Sequence, residues 1–529
     1  MLTVINEHRE IKRGIFPFLY VFFAMFLSGD FCMAQEKTSA AGVALMISTD
    51  RIFYSEQAKL CLTSKLTATN TNLHGTTLRY NIRSVAGTSV LTEDSDKIFI
   101  LSTVNIDIKC LPYGNYVLEV SLLSKDGTCL ARNSTPFCKI PPLQAKIPRL
   151  VISEKGIPLL DKKPSLLRIV WLGGGWEGPI EKEELKSIAE QGFDSVIAGS
   201  VYMRTEALAH FAQYPERGKG GIRQIVERSK FRDFNQFLSA LHEYRLTCFA
   251  HMGEITARFP ELNINNLKDT GNFIFKYRDD PAILGWYSLD ESDAWIETNR
   301  KIYNVIKEVD PYRPVWLNVI SAVDANKNAC DIISTDPYPI GKTKITLISS
   351  HMDNIVKSQY GVPGKTSWII LQMFGSPAEG WPRPPTPQEE KCITYLALNH
   401  GAQSLVYFAH QRLDTLTSSK KLTPELWNSM KSLNAETKEM SLPYLLGEDL
   451  KGIHANSASL DIAAKRYGKS IFLIAVNTLP ETLDASIDLN IVKKEGKVAV
   501  KFESREVLIR GGILTDHFRP YDVHVYIIE

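Results

Sequence analysis

The pattern of apolar and polar positions divides the chain into three parts, and the first is built from strands. Between residues 36 and about 150, short segments such as YVLEVSLL alternate apolar and polar residues, and no helical period is present. Gly114-Asn115 and Asp126-Gly127 are turn signals between such segments. Alternating strands joined by tight turns over this length predict a β-sandwich of the immunoglobulin type.

In the second part, from about residue 165 to 440, apolar strands alternate with amphipathic helices. The predicted strands number eight: LLRIVWLGG, FDSVIAGSV, LTCFAHMGE, AILGWYSLDE, RPVWLNVIS, CDIISTDPYP, TSWIILQMFG and AQSLVYFAHQ. Between them, apolar residues recur at helical spacing, as at Phe234, Phe237, Leu238 and Leu241. Eight strands alternating with helices predict a (β/α)8 TIM barrel, and a doubly wound open sheet is the main alternative.

The third part returns to strands, with SIFLIAVNT, ASIDLNIV, VAVKFES and VHVYII as examples, and predicts a second β-sandwich. The predicted fold class is therefore α/β, with a TIM barrel flanked by N-terminal and C-terminal β-sandwich domains. We place the boundaries at 1–34 for a signal peptide, 35–150 for the first sandwich, 151–445 for the barrel and 446–529 for the second sandwich.

The N-terminus carries the run IFPFLYVFFAMFL, 13 apolar residues that follow the basic residues Lys12 and Arg13. This run is too short to span a bilayer and is typical of a signal peptide, with a membrane anchor as the alternative. We expect cleavage before Gln35 and a secreted or periplasmic protein with no integral membrane segment after cleavage.

Composition narrows the possible partners and cofactors. The net charge of +2 over 529 residues does not favour nucleic acid as a partner, and it leaves the oligomeric state open. The GGGWEG stretch matches a dinucleotide-binding fingerprint but occurs once, in a chain that we expect to be exported, so we interpret it as a loose turn. HExxH and CxxC are absent, so we expect no metal and no other cofactor.

Active sites of TIM barrels lie at the carboxyl ends of the strands, and polar residues collect there in this sequence. Carboxylates, amides, histidines and aromatic rings on one face suit a carbohydrate substrate. The candidate substrate-binding residues are Trp176, Tyr202, His251, Trp286, Asn318, Tyr338, Gln372 and His410. Glycoside cleavage also needs two carboxyl groups, one as acid and one as base or nucleophile. The catalytic candidates are Glu291, Asp290, Glu254 and Asp336.

A structural explanation competes at Asp290 and Glu291, because a helix is predicted to follow them. Ser292 or Asp293 could cap that helix, which leaves Glu291 for chemistry. Strict strand alternation would place Asp290 on the face of Trp286, opposite Glu291. Both acids can enter one site only if the strand end breaks this alternation.

Four stretches of the barrel resemble secreted bacterial glycoside hydrolases of clan A type, a group that includes β-galactosidases and β-glucuronidases. They are DDPAILGWYSLDES, STDPYP, TSWIILQMFG and PTPQEEKCITYLALNHGAQSLVYFAH. The resemblance implies a glycosidase whose acid/base is Glu291, at the end of the fourth strand, with Asp290 where the clan usually has Asn.

The clan's nucleophile is a Glu at the end of the seventh strand, and this chain has Gln372 there. Glu254 or Asp336 could supply the missing carboxylate, or Glu379 could do so if the strand register differs. Otherwise the protein is a catalytically degenerate glycan-binding protein on the same scaffold. A structural surface protein is a third possibility.

Overall fold

The computed structural model describes residues 43–68, 73–96, 98, 100–143, 149–172, 182–199, 233–252, 264–359, 361–410, 422–492 and 494–529. The predicted signal peptide, the GGGWEG stretch and three candidate site residues lie outside these ranges. The three residues are Trp176, Tyr202 and Glu254.

Two sheets packed face to face form the N-terminal unit. The strands of the three-stranded sheet are, in spatial order, Val43–Thr49, Lys59–Ala68 and Leu101–Asp107. Those of the five-stranded sheet are Phe53–Tyr54, Cys129–Lys139, Gly114–Leu123, Thr77–Ser84 and Ser89–Ser95. Alternate residues of both sheets share one buried apolar cluster, as the period of two in the sequence predicts. The predicted N-terminal β-sandwich is thus present.

A closed barrel of eight parallel strands follows, which excludes the open-sheet alternative. The strands are, in both chain and spatial order, Arg168–Leu172, Ser195–Gly199, Thr247–His251, Ile283–Tyr287, Val315–Asn318, Ile332–Thr335, Thr366–Gln372 and Leu405–His410. Each falls within one of the eight predicted runs. Inward residues such as Phe249, Leu284 and Trp316 fill the barrel, while outward ones pack under the helices.

A small sheet closes the end of the barrel opposite the candidate site. Its strands Leu150–Ile152, Pro158–Leu160 and Lys163–Pro164 directly precede the first barrel strand. Leu150 is fully buried in the interior cluster of the barrel. The carboxyl ends of the barrel strands are therefore left as the end available to a ligand.

The described helices are Lys182–Glu190, Phe234–Tyr244, Ile264–Tyr277, Ile296–Val309, Val323–Asn326, Leu347–Gln359, Pro387–Asn399, Pro424–Glu439 and Ser441–Leu446. Two 3-10 turns are Lys327–Ala329 and Pro377–Glu379. Helix Pro387–Asn399 begins with a capping box, because the Thr386 hydroxyl accepts from the backbone of Glu389 and the Glu389 carboxylate accepts from that of Thr386. No helix in the described ranges combines the length and apolarity needed to cross a bilayer.

The C-terminal unit is one nine-stranded antiparallel sheet rather than two separate sheets. Its strands are, in spatial order, Glu448–Asp449, Leu460–Tyr467, Ser470–Asn477, Val523–Ile528, Gly496–Lys501, Arg505–Arg510, Ile513–Phe518, Leu483–Asp488 and His454–Ala455. Residues from strands far apart in this order belong to one apolar cluster. The sheet therefore curls around its own core, as a sandwich does.

Phe53 fastens the N-terminal sandwich to the barrel. Its ring is fully buried against helix Ile264–Tyr277, where a β-carbon on Gly271 would lie 2.1 Å from it. The carboxylate of Glu308 accepts the backbone N–H groups of Ile52 and Phe53, both at 3.0 Å. Close packing and two hydrogen bonds thus fix the sandwich on the helix layer.

His400 fastens the C-terminal sheet to the barrel. Its Nε2 lies 2.8 Å from a carboxylate oxygen of Asp461 in the sheet, and its Nδ1 lies 2.7 Å from Asp353 of a barrel helix. Burial alone would lower the pKa of His400, but the two carboxylates outweigh it and raise the pKa to about 9. The imidazolium bridges two parts of the molecule.

We expect Gly271→Ala to destabilise the protein by about 1–3 kcal/mol, because the new methyl group overpacks the Phe53 ring. Urea unfolding measures the effect. In a Phe53→Ala background the ring is gone, and the same change should be neutral or stabilise by up to about 1 kcal/mol through helix propensity. Equal effects in both backgrounds would contradict this account of the docking contact.

The His400 bridge predicts a loss of stability at alkaline pH. The folded-state pKa is raised, so its contribution is complete below the unfolded pKa of about 6.5 and is lost as the pH rises through about 9. We expect wild type to lose about 1–3 kcal/mol over this window, measured by urea unfolding. His400→Gln should flatten the profile, whereas the same change at the exposed His454 should leave it as in wild type.

Candidate active site

The fourth barrel strand ends at Tyr287, and Asp290 turns back toward that residue. The Tyr287 hydroxyl donates a 2.6 Å hydrogen bond to Oδ1 of Asp290. Asp290 therefore belongs with the inward-facing Tyr287 and not with the outward-facing Trp286. The condition for both acids to enter one site is met here, because regular strand geometry stops three residues before Asp290.

Glu291 breaks the alternation that would have kept the two acids apart. Its φ is +48°, in the left-handed region that a residue with a β-carbon adopts at a cost of about 1–2 kcal/mol. This turn brings the exposed Glu291 side chain to the same end of the barrel as Asp290. Such conformations persist only where the surroundings hold them, and they concentrate at functional sites.

Ser292 and Asp293 hold the turn from its other side. The Ser292 hydroxyl donates to the buried Asn299 side chain at 2.9 Å. The Asp293 carboxylate accepts three backbone N–H groups, those of residues 320, 321 and 322, at 2.7–2.8 Å. The prediction that either residue caps the following helix is wrong, because helix Ile296–Val309 begins without a side-chain cap and both side chains bind elsewhere.

Asp336, just past the sixth strand, completes a cluster of three carboxyl groups. Its carboxyl group lies beside Glu291, the Asn318 amide and the Tyr338 hydroxyl, close enough for each to act on it electrostatically. Burial, followed by the negative charges of Asp290 and Glu291, raises the pKa of Asp336 well above its usual range. Asp336 therefore holds a proton at a pH where an ordinary carboxyl has lost it, and it holds it in contact with Glu291.

Asn318, predicted to bind substrate, is instead fully buried between the acids. Its amide nitrogen donates to Oδ1 of Asp290 at 3.1 Å, and the amide also lies beside Asp336, whose pKa it lowers. Because the amide N–H group donates to a carboxylate of the cluster, Asn318 is placed to position the acids and not to contact a substrate.

Tyr338 is partly exposed and stands at the rim in a group of aromatic rings. Its centroid lies 5.1 Å from that of Phe374, 5.9 Å from that of Trp381 and 6.0 Å from that of Phe408, the last in a stacked arrangement. The ammonium group of Lys342 lies 3.1 Å from the centroid of Trp381 and covers one of its faces. Among these rings, Tyr338 is partly exposed to solvent and also lies beside Asp336 of the acid cluster.

Trp286 and Gln372, two predicted substrate-binding residues, are fully buried and bonded to other parts of the scaffold. The fully buried Trp286 indole donates to Asp310 at 3.0 Å on the helix side of the barrel. Gln372 ends the seventh strand as predicted, but its oxygen accepts from the backbone of Ile340 and its nitrogen donates to that of Phe374. These side chains stabilise the scaffold, because burial and their partners leave no group for a sugar.

The two predicted histidines are also buried. The His251 ring packs against Tyr287, with centroids 4.9 Å apart, and so supports the cluster from below. The His410 ring packs against Trp427 of the last long helix, 4.6 Å away, and burial lowers its pKa to about 4. The alternative acid Glu379 lies in the exposed turn Pro377–Glu379.

Two residues of this network were not predicted from the sequence. Tyr287 binds Asp290, and Ser334 of the sixth strand binds Asn318. Tyr287 lies three residues before Asp290 in the sequence, and this spacing could have suggested their contact, whereas nothing in the sequence pointed to Ser334.

Within the described ranges, no group of three or more acidic, histidine or cysteine side chains is arranged to hold a metal ion.

Comparison with known proteins finds similar solved structures that are distant in sequence, but no match at the level of protein family or curated sequence. No protein-family model matches the chain, and no curated protein does. The maltogenic α-amylase AmyB from Thermotoga neapolitana aligns with 12% identity and a TM-score of 0.47, over 68% of this chain and 98% of its own. The β-D-glucuronidase of Dictyoglomus thermophilum aligns with 11% identity and a TM-score of 0.39, over 74% of this chain and 68% of its own. The barrel itself is established by the pairing of its strands.

The left-handed turn at Glu291 predicts an unusual order of stabilities. We expect Glu291→Gly to be more stable than Glu291→Ala by about 1 kcal/mol, because glycine adopts this φ without a steric cost. Chemical denaturation of the two variants measures the difference. At the exposed, mid-helix Asn304 the same pair should show the opposite order, with alanine favoured by up to about 1 kcal/mol. Alanine favoured at both positions would contradict the observed turn.

Proposed function

We propose that this protein hydrolyses O-glycosidic bonds of an oligosaccharide or polysaccharide at the Asp290, Glu291 and Asp336 cluster. The observation that carries the proposal is the meeting of these three carboxyl groups at one end of the barrel, where burial and the charges of Asp290 and Glu291 raise the pKa of Asp336. A glycosidase needs one carboxyl group that keeps its proton near neutral pH and a second that is ionised. Asp290, which accepts from Tyr287 and Asn318 on one oxygen, suits the second role.

In the proposed reaction the proton leaves the Glu291/Asp336 pair through Glu291, the exposed member. It binds the glycosidic oxygen as the bond between that oxygen and the anomeric carbon breaks, so the leaving sugar departs as an alcohol. A water molecule supplies the new oxygen at the anomeric carbon and returns one proton to the carboxyl pair. Asp290, as the second carboxylate, stabilises the positive charge that develops at that carbon.

Two further roles follow from position. Tyr338 would contact the sugar at the rim, where it is partly exposed beside Asp336.

Glu254, outside the described residues, stays a rival for the second carboxylate, and Trp176 and Tyr202 stay candidate sugar contacts. We also propose the predicted domain boundaries, and export after removal of residues 1–34, on the sequence pattern alone.

Glycan binding without cleavage is the second candidate function. It is favoured by Gln372, which stands where the clan has its nucleophile and is bound to the backbone on both amide atoms. In that case the carboxyl cluster would accept hydrogen bonds from sugar hydroxyl groups.

Release of reducing ends from a panel of neutral and acidic glycans tests the proposal. We expect Glu291→Gln and Asp336→Asn each to lower kcat by at least about a hundredfold, because each removes a member of the proton-donating pair. Glu297→Gln, an exposed acid of the following helix, is the matched control and should act like wild type.

The same panel separates the alternatives. Binding of a glycan by wild type without release supports the glycan-binding function, and neither binding nor release supports a structural role. If wild type releases sugar and Glu291→Gln is equally fast, the assignment of Glu291 is wrong. A loss in Glu254→Gln but not in Asp290→Asn would move the second carboxylate to Glu254.

A further inference from the structure

A buried chain of hydrogen bonds runs through the barrel interior and ends on the acid cluster. The Trp316 indole N–H donates to the Ser334 hydroxyl at 2.8 Å. That hydroxyl donates to Oδ1 of Asn318, also at 2.8 Å. The Asn318 amide nitrogen then donates to Oδ1 of Asp290 at 3.1 Å, and the amide also lies beside Asp336. Trp316, Ser334 and Asn318 are each fully buried, so water cannot replace any member from outside.

The donor-to-acceptor direction of this series of hydrogen bonds is set at Trp316, the end farthest from the acids. An indole can only donate a hydrogen bond, so Ser334 accepts from Trp316 and has its single hydrogen left for the next partner. The Asn318 oxygen is the acceptor for that hydrogen, and the amide NH2 group must then point at the carboxyl groups. A flipped amide would leave the Ser334 hydrogen without an acceptor in a buried place, which costs about 1–3 kcal/mol.

The orientation of the amide matters because its two ends favour opposite protonation states. The NH2 end stabilises an ionised carboxylate, whereas the oxygen end accepts a hydrogen bond from a protonated carboxyl. We propose that Trp316 and Ser334 are positioning residues, which lock the Asn318 amide with its NH2 group toward Asp290 and Asp336 and so limit how tightly the cluster holds its proton. The catalytic consequence rests on the proposed function, whereas the effect on titration does not.

Other groups also act on Asp336. Burial, and then the negative charges of Asp290 and Glu291 from the fourth-strand turn, raise the pKa of Asp336, whereas the Asn318 amide lowers it. Tyr338 lies beside Asp336 on the loop that follows the sixth strand. Tyr287 faces Asp290, with the His251 ring behind it. None of these groups is removed when Trp316 or Ser334 is changed, so a shift that the volume-matched controls do not share would be traced to the amide.

The test is the titration of the protonated carboxyl, followed by its infrared carbonyl band, with Asp336→Asn as the reference to be subtracted. We expect Ser334→Ala and Trp316→Phe each to move the midpoint upward by roughly half to one pH unit, because the released amide can turn its oxygen to the proton. If the protein cleaves glycans, the alkaline limb of kcat should move upward equally, with KM little changed.

The barrel interior offers a matched control for each variant. The Trp368 ring is fully buried 5.0 Å from that of Trp316, but its indole N–H has no hydrogen-bond partner among the described residues. Ser195 is likewise a fully buried strand serine whose hydroxyl has no described partner. Trp368→Phe and Ser195→Ala therefore repeat the losses of volume without breaking the chain, and they should titrate as wild type.

Two results would overturn the proposal: midpoints unchanged in both test variants, or an equal shift in Trp368→Phe, which would indicate a general packing effect. If Trp316→Phe does not fold, as judged by circular dichroism, the smaller change Ser334→Ala decides. A wild type that cleaves no glycan would refute the proposed function, yet the titration would still support or overturn the role of Trp316 and Ser334.

Discussion

Two carboxyl groups held side by side cannot both be ionised without a large electrostatic cost, and Glu291 and Asp336 form such a pair. The pKa of Asp336 is therefore raised well above its usual range, while Asp290 accepts hydrogen bonds from the Tyr287 hydroxyl and the Asn318 amide. The acids of the cluster therefore stand in different electrostatic surroundings. The other features of the site are explained by what is needed to keep the pair together.

Keeping the pair together requires a strained turn and a rigid frame. Glu291 reaches Asp336 from a left-handed backbone conformation, and the side chains on either side of it are bonded to separate elements. Asp293 in particular connects the loop after the fourth strand to the loop after the fifth. The barrel below is filled with interlocking aromatic rings, so the ends of the strands cannot shift freely.

The two flanking sheet units pack directly on the barrel and are part of the same rigid frame. Phe53 of the N-terminal sandwich belongs to the outer core of the barrel, and so do Val476 and Val525 of the C-terminal sheet. Because these contacts bury apolar side chains without a boundary between the parts, the three units share one continuous core.

The sequence by itself determined the architecture of the chain and the position of the acids along it. Periods of two and 3.6 residues follow directly from backbone geometry, so eight strands and their helices could be placed to within a few residues. Asp290, Glu291 and Asp336 were found because they follow strands. Only the tertiary structure decided which way side chains point once regular geometry ends: the turn at Glu291, the capture of Asp293 by a distant loop and the burial of Trp286, Gln372 and His410. Those outcomes depend on hydrogen-bond partners far away in the chain, and local periodicity carries no information about them.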